Sequence, residues 1–204
     1  MSSVFEKVTL YDLLGYMVPG AVFVLLGITE PLLRLGSDKQ KILSDFEGYF
    51  MTAFVLISYT SGIVLSEIAR WLSWLIDKVF GRSYAFINTE AVKSALEKSH
   101  LVDRQELQGA LDSRKYFKIM YGVIQQEKDY GRIHGYASAE ILYKNLTMAF
   151  GLNAMLRIGF SKGYSVPGGT IICLVIAVIF FVRWYRFRDK KVHYTVLWFV
   201  KKYT

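Results

Sequence analysis

Gly163 to Val182 reads GYSVPGGTIICLVIAVIFFV, twenty residues without a charge, closed by Arg183. About 20 apolar residues at 1.5 Å of helical rise each span a hydrocarbon core roughly 30 Å thick. The second half, Ile171 to Val182, is too apolar for an ordinary surface helix. The stretch therefore predicts a transmembrane helix, and the rest of the chain is interpreted around it.

Composition agrees with a chain divided between lipid and water. Of 204 residues 53% are hydrophobic and 16% aromatic, yet 21% are charged and the formal net charge is +8. The single cysteine, Cys173, lies inside the apolar run, which excludes an intrachain disulfide framework and a cysteine-based zinc site. No metal or cofactor is implied. The N-terminal MSSVFEKVTLYD is charged and does not have the form of a cleavable signal peptide.

Working outward, two further apolar runs lie upstream. Leu13 to Thr29 is 17 residues without charge, with Asp12 placed as an N-cap and Pro19–Gly20 inside the run. A proline is tolerated in a bilayer helix when a neighbouring helix satisfies the carbonyl it frees. Gly48 to Ser66 is 19 residues without charge. Beyond it Ile68, Leu72, Leu75, Ile76 and Val79 keep helical spacing, and Trp71 and Trp74 suit an interfacial belt. One long helix is expected to leave the membrane here and continue as a stem to about Phe80.

Residues 81 to 138 read as a water-facing helical region. Val92, Ala95 and Leu96 predict a helix near Thr89 to Lys98. Asp103 and Glu106 resemble a capping box, and Leu107, Leu111, Met120 and Ile124 form an intermittent apolar stripe. The region is too small for a large core of its own, so it is expected to pack against copies of itself or a partner.

Ile141 to Phe160 is a further span candidate. Only 12 uncharged residues separate Lys144 from Arg157, but both charged ends can snorkel outward. Asn145, Thr147 and Asn153 would then sit in the bilayer facing other helices. Charge placement favours this fourth span. With both termini cytoplasmic, 20 Lys and Arg fall on the cytoplasmic side and five on the outer side. The expected fold is thus all-α and polytopic. Residues 1–80 form a transmembrane hairpin with a stem, 81–138 a helical cytoplasmic region, 139–186 a second hairpin, and 187–204 a basic amphipathic tail. In that tail Val192, Val196, Phe199 and Tyr203 form an apolar stripe. Arg183, Arg186, Arg188, Lys190, Lys191, Lys201 and Lys202 suit an anionic membrane surface. The tail's rings and cations also have the composition of a nucleic-acid surface, but its place directly after a span makes lipid the expected partner and direct nucleic-acid binding the lesser reading.

Four residues are candidates for a pore or gate: Glu140, Lys144, Asn145 and Asn153. The plainer reading of Glu140 and Lys144 is a helix-stabilising i, i+4 pair worth a few tenths of a kcal/mol. Glu30 and Arg157 either pair across the bundle or are ordinary interfacial charges, the second being preferred.

Arg188 to His193 spells R-D-K-K-V-H, and the opening Tyr11 to Gly20 spells Y-D-L-L-G-Y-M-V-P-G. The R-x4-H spacing resembles the motif of HEPN ribonucleases. On one helix the two side chains lie roughly 140° apart, so a site would need a second chain, and a juxtamembrane arginine with an interfacial histidine is the expected reading. The opening motif resembles the start of small bacterial membrane proteins, several of them from phage-defence loci. Four spans with a basic tail resemble the membrane accessory proteins of type VI-B CRISPR systems, one branch of which carries a divergent HEPN motif. That resemblance implies a protein that modulates RNA-guided defence from the inner membrane, by altering membrane permeability or by influencing the nuclease. The polar residues of the third span, the Pro19–Gly20 kink and a helical middle suited to assembly add the expectation of a homo-oligomer, and no enzyme is expected. The alternatives are a constitutive small channel or transporter, for which neither a midplane ionisable site nor an internal repeat is found, and a membrane-tethered HEPN-like ribonuclease resting on Arg188 and His193.

Overall fold

A computed structural model describes residues 13–33, 47–80, 87, 89–102, 112–126, 131–160 and 168–204. Among them regular structure is helical and no strand occurs. A π-helical turn, Leu13–Met17, leads into α1 (Val18–Leu33). There follow α2 (Glu47–Phe80), α3 (Glu90–Lys98), α4 (Ser113–Gln125), α5 (Gly131–Phe160) and α6 (Gly168–Tyr203). The expected Asp103–Glu106 capping box, with Leu107 and Leu111, lies outside the described residues. The chain divides into two compact units, Met1–Leu72 with Ser138–Trp184, and Ser73–Ala137 with Tyr185–Thr204.

In the first unit α1 and α2 meet at glycines. A Cβ on Gly20 would strike the Ser58 carbonyl and lie 2.7 Å from the Gly62 nitrogen, and one on Gly62 would strike the Tyr16 carbonyl. Residues ascend on α1 as they descend on α2, so the two helices run antiparallel with their backbones in contact. Such approach needs small residues, and close backbone packing then holds the two helices together. α5 and α6 are also antiparallel here: Tyr143 and Phe150 lie against Phe180, while Arg157, further along α5, reaches Gly169 at the start of α6. Leu146, Ala149, Ala154, Cys173 and Ala177 are buried in this unit.

Among the described residues two helices are long and apolar enough to cross a membrane: Met51–Lys78 within α2, and α6. Leu13–Gly27 is a shorter apolar helix. Only 22% of the apolar stretch of each long helix is buried, the reverse of a helix at the centre of a water-soluble domain. The apolar exterior is concentrated in the first unit. Of the large hydrophobic residues described as exposed, all but Trp74, Leu75, Leu101 and Leu197 belong to it.

The second unit has a protein core of its own. Ile87, Val92, Ala95, Leu96, Tyr116, Phe117 and Met120 pack with Val192, Val196 and Phe199 of α6. Asp112 caps α4, its carboxylate accepting from the backbone N–H of Arg114 at 3.1 Å and of Lys115 at 3.4 Å. The chain's own C-terminal helix packs into the core of the helical middle region, a neighbour the sequence did not single out. The tail, for its part, is not a separate helix. α6 continues unbroken through Arg183 for 36 residues, and the stripe Val192, Val196, Phe199 faces protein. Helix periodicity specifies an apolar face but not what covers it.

Candidate functional site

The proline in α1 sets up the first site. Pro19 has no N–H to donate to the carbonyl of Gly15, four residues back. That carbonyl accepts from Asn145 Nδ2 of α5 at 2.8 Å, and Asn145 is fully buried. A π-turn at Leu13–Met17 absorbs the local mismatch in the ladder. Two more residues of α5 continue the pattern along α1. Asn153 Nδ2 donates to the Phe23 carbonyl at 3.3 Å and to the Ala149 carbonyl of its own helix at 2.8 Å. An Arg157 Nη donates to the Leu26 carbonyl at 3.2 Å. The three contacts bridge sequence separations of 130, 130 and 131 residues, so α1 and α5 run parallel.

Two of the four pore or gate candidates are therefore brought together on one face of α5, with their amide donors engaged by α1. Thr147 donates back to the Tyr143 carbonyl at 2.8 Å, the usual resolution for a hydroxyl inside a helix. Glu140 and Lys144 are half-buried one turn apart on α5. The side chain of Glu30 lies outside the described residues, so its pairing with Arg157 does too. An Nη of Arg157 also lies 2.7 Å from where a Cβ on Gly169 would stand, so the guanidinium sits where α5 passes the start of α6.

The coupling between Asn145 and Pro19 is testable. Replacing Asn145 by Leu removes the donor and is expected to cost about 1–2 kcal/mol, near the upper end for interhelical bonds in membrane bundles. In a Pro19→Ala background the N–H returns and the same replacement is expected to cost less than about 0.5 kcal/mol. Equal costs in both backgrounds, from unfolding in mild detergent, would show that the asparagine does not serve the freed carbonyl.

In the second unit the basic tail is differentiated residue by residue. Arg188 is 3% exposed, and its guanidinium pairs with Asp77 of α2. Asp77 also takes Arg114 of α4 at 3.0 Å. His193 is exposed, edge-on to Tyr194. The two members of the R-x4-H pattern thus stand in different environments, and Arg188, named both for catalysis and for the membrane surface, is committed to a buried ion pair. Arg183, Arg186, Lys190, Lys201 and Lys202 remain exposed, while Lys191 is half-buried with its amine 5.7 Å from the Phe117 ring centre and 5.8 Å from that of Tyr121.

A cation–aromatic column joins the first turns of α5 to α6. Tyr136 and Tyr194 stack at 5.2 Å. Arg132 lies 4.7 Å over the Tyr194 ring, donates from Nε to the Tyr136 hydroxyl at 3.3 Å, and donates from an Nη to the Tyr194 hydroxyl at 3.4 Å. Lys190 lies 5.9 Å from the Tyr136 ring centre and 5.6 Å from that of Phe187. The hydrogen bond from Arg132 holds the Tyr136 phenol below the ordinary tyrosine range and raises Arg132 in return. Sequence reasoning missed Asp77 and Arg132, each a single charge among residues that read as a solvated surface. It also passed over Ser58 and Gly62, although small residues four apart in an apolar run are a packing signal. No protein-family model, curated protein or solved structure matches the chain.

Proposed function

We propose that the chain is a four-span inner-membrane protein that works without catalysis, carrying a basic helical module on the cytoplasmic side to modulate a partner. The direction of the helices supports this most. α1 and α5 are parallel, α2 is antiparallel to α1, and α6 is antiparallel to α5. If α1 and α5 cross one bilayer, they cross it in the same sense, as the positive-inside count requires. The second unit contains sixteen Lys and Arg against nine Asp and Glu, and so accounts for seven of the eight net positive charges.

The geometry favours a scaffold or regulator over a permeability device. Asn145, Asn153 and Arg157 give donors to the backbone of α1, which is how a bundle is fastened rather than how an aqueous path is lined. A ribonuclease is disfavoured because Arg188 is held by Asp77. The defence setting, with an RNA-guided nuclease as partner, rests on the resemblance of the Tyr11 to Gly20 motif and the overall plan.

The test is to induce the chain in bacteria, alone and with its genomic neighbours, while following a membrane-potential dye and nuclease output together. The proposal expects a steady potential throughout and a nuclease output that depends on the chain. A depolarisation that requires the chain would contradict it in favour of the permeability reading.

A further inference from the structure

We infer that Arg132 and Lys190, set on the Tyr136–Tyr194 stack, form a site for the phosphate of an anionic phospholipid. The inference rests on the four-span reading and adds a specific ligand site to it. On α6, Phe187, Lys190 and Tyr194 lie within about 60° of one another, by 100° per residue. Arg188, Val192, Thr195, Val196 and Phe199 occupy the opposite, buried side. The face bearing Lys190 is met by the first turns of α5, through Arg132 and Tyr136.

The arrangement fixes two cations and leaves donors over. The guanidinium uses Nε and one Nη N–H on the two phenol oxygens. Its remaining N–H groups, and the ammonium of exposed Lys190, are free to meet phosphate oxygens. The rings are already covered: Tyr194 has Arg132 over it and Tyr136 stacked on it, and Tyr136 has Lys190 close by. A nucleic-acid strand needs open ring faces for its bases, so the column fits a phosphate headgroup better than a strand. Connectivity points the same way. Lys190 follows the end of the apolar run at Arg183 by seven residues, about 10 Å of helix, within the reach of a snorkelling side chain and about one Debye length of an anionic surface.

The experiment uses the full chain in nanodiscs of phosphatidylcholine, alone or mixed with phosphatidylglycerol, with bound lipid counted by native mass spectrometry. Phosphatidylglycerol is expected to be retained in preference. Arg132→Gln and Lys190→Gln are each expected to weaken retention about fivefold and together about thirtyfold. Lys115→Gln with Lys118→Gln, an equal loss of charge on exposed residues elsewhere on the second unit, is expected to change it less than about twofold. Tyr136→Phe with Tyr194→Phe keeps every charge but removes both hydroxyls that hold Arg132. It is expected to cost about two- to threefold, which a diffuse attraction would not produce. Equal losses in the two Lys and Arg pairs would overturn the site, as would displacement of the lipid by inorganic phosphate or a single-stranded RNA at matched concentration. A chain that leaves the nanodisc when detergent is removed would overturn the four-span reading and the site with it; the other outcomes overturn the site alone.

Discussion

Gly62→Ala is expected to break the first unit. The added methyl would meet the Tyr16 carbonyl, a backbone atom that no rotamer change can move, and α1 and α2 would have to part. The expected cost is about 3 kcal/mol or more, at the high end for overpacking because backbone meets backbone. Gly20→Ala meets the Ser58 carbonyl in the same interface, so the double variant should cost less than the sum of the two. Gly151→Ala in α5 is the control. Nothing lies within 4 Å of its Cβ position, and alanine there should be neutral or stabilise by up to about 1 kcal/mol. Unfolding in mild detergent separates these outcomes. A Gly62→Ala protein as stable as the parent would mean that α1 and α2 do not touch through their backbones.

Asp77→Ala is the second large effect. It takes from Arg188, which is 3% exposed, the carboxylate of its buried ion pair, leaving it the charge of neighbouring Asp189, and also releases Arg114. Removing one partner of a buried ion pair costs about 3–5 kcal/mol, because the remaining charge stays desolvated. The cost belongs to the stranded charge, so it should be recovered by Arg188→Met. The double variant is expected within about 1 kcal/mol of the parent, since a buried pair exchanged for apolar side chains of similar volume is often neutral. Thermal unfolding of the parent and the two variants tests this. An Asp77→Ala protein that unfolds with the parent would show that Arg188 does not rely on Asp77. The double variant also bears on chemistry: a ribonuclease built on Arg188 and His193 would be silenced by it, whereas the proposed function would survive.

The sequence made the long apolar runs legible because a bilayer imposes length and polarity limits that can be counted. It also marked Asn145 and Asn153 as facing other helices, since an amide among apolar residues must find a partner, and both reach the backbone of α1. Pro19 made half of one contact readable: a proline inside a helix frees a carbonyl, but only the fold names Asn145 as the donor. The tail was harder. Val192, Val196 and Phe199 form the same stripe whether lipid or protein covers them. What decides is Val92, Leu96 and Met120, some 70 to 110 residues away. Arg188 carried a motif-like spacing that drew attention to catalysis, while Asp77, the residue that explains it, looked like one more charge on an exposed stem. Arg132 stood far from the tail in sequence and gave no sign that it would share a column with Tyr194.

The central claim is that α1 and α5 cross the bilayer in the same sense, with the second unit on the inner side. Single cysteines placed in a Cys173→Ala background at Ser37, Ser161, Ser94 and Lys118 test it with a membrane-impermeant maleimide. The account predicts that Ser37→Cys and Ser161→Cys label in intact spheroplasts, and that Ser94→Cys and Lys118→Cys label only after lysis. Labelling of the positions at 37 and 161 from opposite sides, or of the position at 94 in intact spheroplasts, would contradict it.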